Sequence, residues 1–438
     1  MKRRFVYGLV TVALTVNVLI GAAVYLHSAE TAQKDSAYPS LEIFSVVMEK
    51  VRRDYVDGAN LTYQDLVRNA LKGMLSELDP HSEYMDPESF KDLENDTEGK
   101  FGGIGVVVSM KDGRITVVAP MEDTPGFKAG IRTGDRIDRI EGKSTEHMSV
   151  QDAVKILRGE PGTEVHLTIF RPSTGRTQDY TLKREEIKVD TVKDINGKRE
   201  FPLGENKIGY LRITQFGEKT SDELEAALKK LRSQGMQALI IDLRWNPGGL
   251  LDQAVEVCEK FLPRGQLIVT TEGRSAAQNS VRKAAGHGDE LDGKPIIVLI
   301  NAGSASAAEI VSGCLQDLKR AVILGERSFG KGSVQSLIEL SDGSALRLTT
   351  AKYYTPSHKV IHEKGITPNI TVIDSDDEEA AILVRRAPGG IDTLDPRDRE
   401  RIEGLGDPQM DRAMDVLKGI LLFSQRSHNA DSRVAAAK

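Results

Sequence analysis

The chain has 438 residues, 39% of them hydrophobic and 28% charged, with a net charge of -6. That is an ordinary globular balance with room for two to four domains of roughly 100–200 residues each. The basic residues are scattered, which argues against a nucleic-acid partner, and no HExxH or CxxC spacing offers a metal site, so neither metal nor cofactor is expected.

The N-terminus carries the first element. The basic run "MKRR" precedes "FVYGLVTVALTVNVLIGAAVYL" (Phe5–Leu26), apolar apart from two threonines and an asparagine. A positive end followed by such a stretch is an export signal, and about 20 apolar residues also suffice to cross a bilayer. The following "LHSAE" fits the small-x-small cleavage rule poorly. Residues 1–30 are therefore read as an anchor in the inner (cytoplasmic) membrane with its basic end inside; a cleaved signal peptide is the alternative. Either way the remainder is expected outside the cytoplasm, in the periplasm, where ATP and GTP are scarce.

Residues 31–98 read as an N-terminal helical part. Ile43, Val46, Val47 and Val51 share one helical face, and Leu66, Ala70, Leu71 and Met74 share another. "ELDPHSEYMDPESF" interrupts the pattern, with Asp86 as N-cap and Pro87 as first residue of a short helix. From Phe101 short strands take over. "FGGIGVVVSMKDGRITVVAP" is a hairpin turning at Asp112-Gly113, "SVQDAVKILRG" a helix and "EVHLTIFRP" a closing strand. Residues 99–188 resemble a PDZ domain, through "GIGV" (Gly103–Val106), "PGFKAGIRTGDRI" and the order of elements.

Residues 189–373 alternate strands and helices: "KIGYLRI", "SDELEAALKKLRSQG" with a serine cap and a terminal glycine, "QALIIDLR", "LDQAVEVCEKFL", "PIIVLINAG", "SAAEIVSGCLQDLKR" and "AVILGE". This is an α/β domain with a largely parallel sheet covered on both faces. Sites in such sheets lie beyond the carboxyl ends of the strands, where "RWNPGG", "NAGSAS" and "ERSFGKG" fall. Cys258 and Cys314 are each set among apolar residues and read as small core side chains, with a disulfide or reactive thiol as the alternative. In residues 374–438 the acidic run "DSDDEE" reads as a solvated loop and "DPQMDRAMDVLKGILLF" as a last amphipathic helix.

"GERSFGKGS" (Gly325–Ser333) nearly matches a phosphate-binding loop. That loop needs Ser or Thr directly after the lysine and then a helix. Gly332 follows Lys331, and "SVQSLIELSDGSALRLTT" reads as a hairpin turning at Asp342-Gly343. Without a helix N-terminus there is no anion cradle, which leaves Lys331 as a surface lysine or as something chemical. In "NAGSASAAEI", Ser306 with Glu309 three residues on fits a capping box, and Ser304 could cap instead. A serine at that place also has backbone N–H groups around it, the geometry of a nucleophile beside an oxyanion hole. No histidine is placed by motif, and a neutral lysine can serve as base.

Together "IIDLRWNPGGLL", "NAGSASAAEI" and "GERSFGKGSVQ", behind a PDZ-like block and an export segment, resemble the carboxy-terminal processing (tail-specific) proteases; "LDPHSEY" and "GITPN" fit too. The likeness runs over about Leu41–Val372. It implies a ClpP/crotonase-like α/β protease core with an inserted PDZ domain and an N-terminal helical segment. It implies Ser306 as nucleophile, Lys331 as general base, Gln335 orienting the lysine amine, and the N–H groups of Gly248 and Ala307 as oxyanion hole. Gly103, Ile104, Gly105 and Val106 would take the substrate's free carboxylate and add its last residues as a strand, and Ile104, Val106, Val154 and Leu157 would line the pocket. Ser304 matches the family's first, unreactive serine. Trp245, Ala308 and Asn369 depart from the family's usual residues, none at a catalytic position. The expected partners are protein substrates held by their free C-termini; an adaptor and a homo-oligomer stay open. The rival reading is an exported PDZ scaffold without activity.

Overall fold

The computed structural model describes residues 15–17 and 37–436, apart from 112, 122–123, 133, 173, 287, 387–389 and 395. The apolar stretch Phe5–Leu26 lies outside the described residues except at 15–17. Among the described residues no helix is long and apolar enough to cross a membrane. The chain divides into two compact units, Met1–Tyr84 and Met85–Lys438.

The first unit contains the helices Ala37–Asp54 and Tyr63–Ser76. The second of these starts at Thr62, whose hydroxyl accepts the Asp65 N–H at 3.0 Å. The first exposes Leu41, Ile43, Val46 and Val51.

The second unit begins with the helix Pro87–Glu98. As the sequence indicates, Asp86 caps it, accepting the Ser89 N–H at 3.0 Å, and Gly99 closes it in the left-handed region at φ 66°. This helix is tied to the PDZ block that follows. Lys91 pairs with Glu160, Lys155 with Glu88 at 3.1 Å and Arg158 with Asp96 at 3.2 Å.

The PDZ block is a sheet in the order Val106–Lys111, Arg114–Pro120, Arg136–Ile140, Glu164–Arg171, Arg176–Lys183, with the short strand Lys143–Ser144 paired beside it. The expected hairpin forms, and Val106–Lys111 is an edge strand. The helix Val150–Leu157 packs on this sheet around a core that includes Ile115, Ile137, Val165 and Leu167. Lys100–Gly103 pairs with Glu185–Lys188, so the two ends of the block meet.

The core domain carries a six-stranded sheet in the order Val192–Lys193, Ile208–Ile213, Ala238–Asp242, Ile296–Ile300, Val322–Gly325, Ile370–Thr371. Only the first pairing is antiparallel. The helices Thr220–Ser233, Leu251–Glu259 and Ala307–Asp317 cover one face, and Pro408–Ala436 covers the other. Burial on both faces explains why the central strands read as continuous apolar runs. A separate antiparallel arrangement joins Leu267–Gly273, Ser280–Lys283, Ser333–Glu339 and Ala345–Tyr354, the last two forming the expected hairpin. Cys258 and Cys314 are both free and buried. Burial pushes the Cys258 thiol well up.

Two local expectations are corrected. The helix expected to start with a serine cap begins at Thr220 after Lys219, because the Ser221 N–H goes to the Gln253 side chain at 2.8 Å. The acidic run is no loop: Asp376, Asp377, Glu378 and Glu379 form the first turn of the helix Asp376–Arg386. Carboxylates there complement the positive end of the helix dipole, and Ser375 and Glu378 bond reciprocally as a capping box does.

Candidate active site

Three loops leave the carboxyl ends of neighbouring parallel strands: Leu243–Gly249, Asn301–Ala305 and Glu326–Gly332. They meet because Ala238–Asp242, Ile296–Ile300 and Val322–Gly325 are adjacent in the sheet. The Ala305 N–H donates to the Asn246 carbonyl at 2.9 Å, and the Phe329 N–H to the Ser304 carbonyl at 2.9 Å.

Ser304 is fully buried; its hydroxyl donates to the Leu243 carbonyl at 2.8 Å and accepts the Asn301 N–H at 3.0 Å. It joins two loops and has no face toward a substrate. Ser306 is partly exposed and caps the helix Ala307–Asp317 with φ 54° and ψ −115°. A serine held in that region costs on the order of 1–3 kcal/mol and persists only where its surroundings enforce it. Gly248 stands directly against it: a Cβ there would lie 2.6 Å from Ser306 Cβ and 3.0 Å from the Ala307 nitrogen.

Glu309 does the enforcing. Its carboxylate is fully buried and accepts the Ser306 N–H at 2.8 Å, the Gly330 N–H at 2.7 Å, the Lys331 N–H at 2.9 Å and the Ser328 hydroxyl at 2.5 Å. One carboxylate thus grips the backbones of both residues expected to react. Burial raises its pKa, opposed by these hydrogen bonds. Tyr353 is a second link. Its buried hydroxyl donates to the Lys331 carbonyl. Burial pushes this phenol well above its ordinary range, so it stays protonated. Sequence reasoning saw Glu309 only as a cap, and it missed Ser328 and Tyr353, which no local pattern marks.

Gln335 lies on the strand after Lys331, at an irregularity in its pairing. Its amide nitrogen donates to Ser333 Oγ at 2.9 Å and faces Thr349 Oγ1 at 3.4 Å, which leaves the amide oxygen as the atom able to hold an amine. The oxyanion hole differs from expectation. The Gly248 N–H donates to Asn246 Oδ1 at 2.8 Å. Asparagine side chains bond the backbone two residues on in this way, and in this conformation that bond takes the donor. Ala307 sits beside Gly248 as expected.

In the PDZ block, Gly105 has φ 67°, and a Cβ there would lie 2.2 Å from Thr124 Cβ, so glycine is required. The carbonyls of Ile104 and Gly105 are taken by the N–H groups of Gly126 and Met121, each at 2.8 Å. Ile104 and Leu157 belong to the buried core and Val106 packs half-buried against it. Val154 lines a cavity of about 580 Å³ together with Val150, Phe101 and residues of the helix Pro87–Glu98.

Two family models match the chain: peptidase family S41 over residues 207–372 and the PDZ domain over residues 116–171. The chain is 46% identical over 377 residues to a carboxy-terminal-processing protease of Bartonella bacilliformis, covering 85% of this chain and 83% of that one. The chain belongs to the carboxy-terminal-processing protease family. Carboxy-terminal processing protease CtpA of Bacillus subtilis is 38% identical over 323 residues, covering 74% of this chain and 66% of that one. A solved photosystem II D1 C-terminal processing protease is 28% identical, covering 79% of this chain and 97% of that one, with a TM-score of 0.43. The carboxy-terminal-processing protease described here is thus an S41 peptidase with a PDZ domain. The S41 match takes in all three loops, while the helices Asp376–Arg386 and Pro408–Ala436 lie beyond it.

Proposed function

We propose that this peptidase is an exported serine endopeptidase, held at the periplasmic side of the inner membrane, that binds protein C-termini and cleaves upstream with Ser306 as nucleophile and Lys331 as base. The observation that carries the reading is the Glu309 carboxylate, which locks the strained Ser306 backbone and the Lys331 backbone into one unit. In the reaction, Ser306 Oγ attacks the scissile carbonyl and its proton passes to the neutral Lys331 amine. The resulting ammonium then protonates the departing amine, and water resolves the acyl-enzyme with the lysine again as base. Gln335 holds the amine through its amide oxygen. The Ala307 and Gly248 N–H groups receive the developing oxyanion once Gly248 is released from Asn246.

Cleavage of a tailed substrate, with labelling by a serine-reactive phosphonate, tests this. Ser306→Ala and Lys331→Ala should each abolish turnover, and Lys331→Arg should do the same because guanidinium does not give up its proton. The double variant should be little worse than either single one. Because the base acts unprotonated, activity should rise with pH while the fold is intact. Retained turnover in Lys331→Ala would refute the assignment.

A further inference from the structure

Trp245 is the only tryptophan of the chain. It lies three residues before Gly248, with its backbone in the left-handed region at φ 56°. Such a conformation in a bulky residue needs support from outside. Part of the support is local: the Trp245 N–H donates to Asn301 Oδ1 at 2.9 Å. A Cβ on Gly303 would lie 3.0 Å from Trp245 Cδ1, so the indole rests on the loop that leads into Ser306.

The rest comes from beyond the S41 segment. The indole Nε1–H donates to Glu379 Oε1 at 2.8 Å. The Arg386 guanidinium lies 4.9 Å from the ring centroid and also pairs with Asp242 at the end of the preceding strand. Glu379 and Arg386 stand at opposite ends of one helix, Asp376–Arg386. Arg244, next to Trp245, has a fully buried side chain and bonds Asp242 and Asp407, each at 2.8 Å. The start of the Gly248 loop is therefore gripped from the C-terminal segment. At its far end the Gly248 carbonyl accepts the Phe216 N–H at 2.8 Å, and Gly248 (φ 102°) and Gly249 (φ 140°) are glycines, so a turn of the Pro247–Gly248 peptide meets no side chain of their own.

We propose that the helix Asp376–Arg386 positions the oxyanion loop, with Trp245 as the contact through which it acts and Glu379 as the positioning residue. This rests on the reading of Gly248 as an oxyanion donor. For the Gly248 N–H to leave Asn246 and meet substrate, its peptide must turn about a fixed point. Trp245 is that point, and the Glu379 acceptor keeps it fixed. A donor displaced by about an ångström loses much of its effect on the transition state while leaving substrate binding intact.

The test uses the whole chain, with active sites counted by phosphonate titration and with Trp245 fluorescence as a direct report on the loop. Glu379→Ala is expected to shift the emission and to lower kcat per titrated site roughly 10- to 100-fold, with KM within about twofold. Glu379→Gln keeps an oxygen acceptor for the indole and should restore both. Trp245→Phe keeps the ring on Gly303 but has no N–H, and should reproduce the loss of kcat; it serves if Glu379→Ala does not fold. The inference is overturned if kcat per site in Glu379→Ala or Trp245→Phe stays within twofold of the parent, or if Glu379→Gln is as impaired as Glu379→Ala. Failure of the Ser306–Lys331 reading would look different: the parent would not label at Ser306, or Ser306→Ala would still turn over.

Discussion

The carboxylate of Glu309 takes its donors from the Ser306 cap, from the Gly330-Lys331 backbone and from the Ser328 side chain. A backbone N–H buried without an acceptor costs on the order of 1–3 kcal/mol. Glu309→Ala would strand those of Ser306, Gly330 and Lys331 and release the strain at φ 54°. We expect a lower melting temperature and, in the protein that still folds, turnover reduced at least ~100-fold. Glu309→Gln should fall between, since the amide keeps one acceptor oxygen but turns an NH₂ toward N–H donors. Thermal melts and turnover per titrated site check this. Full turnover in Glu309→Ala would show that the clamp does not hold the site together.

Elements meet at charged junctions as well as at apolar ones. Behind the sheet's carboxyl edge, buried Arg244 lies between Asp242 of a central strand and Asp407 just before the last helix, with Asp374 at 3.9 Å. The Asp374 side chain is only 4% exposed. Burial, then the neighbouring Asp407, push its carboxyl up to about 6 from the ordinary 3.8, against the pull of Arg244. The folded protein therefore holds this proton more tightly than the unfolded chain does. Ionisation costs stability as pH rises from 3.8 toward 6, and the cost is complete above that window. Asp374→Asn mimics the protonated form. It should raise the melting temperature at about pH 7.5 and change it little at about pH 4. Melts at the two pH values decide: an equal effect at both would show that Asp374 does not titrate in this way.

For the molecule as a whole, the proposed function requires that a tail bound by the PDZ block reach the loops of the other domain. Val106–Lys111 is an edge strand, so an incoming C-terminus can extend the PDZ sheet. The carbonyls of Ile104 and Gly105 are bonded to Gly126 and Met121 N–H groups, so under the proposed function a carboxylate would have to be met by N–H groups of this loop. Three substrates with one cut site test this: a free apolar tail, an amidated tail, and a tail ending in Asp. The first should be cut fastest, mainly through a lower KM, and equal rates would mean that the PDZ block does not read the terminus. Binding there can shift a conformational equilibrium of the Ser306 and Lys331 loops only by its differential affinity for the states concerned.

Much of this protein was legible in the sequence because the governing interactions are local. Continuous apolar strands, the Asp86–Pro87 helix start, the pairing of Val106–Lys111 with Arg114–Pro120 and of Ser333–Glu339 with Ala345–Tyr354, and the serine and lysine loops each depend on residues a few positions apart. Local reading failed where a tertiary contact took over, as when Gln253 displaced the serine cap of the helix Thr220–Ser233. It also failed where one pattern had two meanings, as when the acidic run proved to be a helix start. Ser304 and Ser306 differ by two positions, yet only the hydrogen bond from the Ser304 hydroxyl to the Leu243 carbonyl shows which hydroxyl is spent on structure. Glu309 reaching Lys331, Tyr353 reaching Lys331, and Glu379 reaching Trp245 across 134 positions are long-range contacts. Sequence alone determined which groups this peptidase has for chemistry. Only the tertiary structure decided how they are held, because a hydrogen bond between distant residues has no signature until the chain has closed the loop that brings them together.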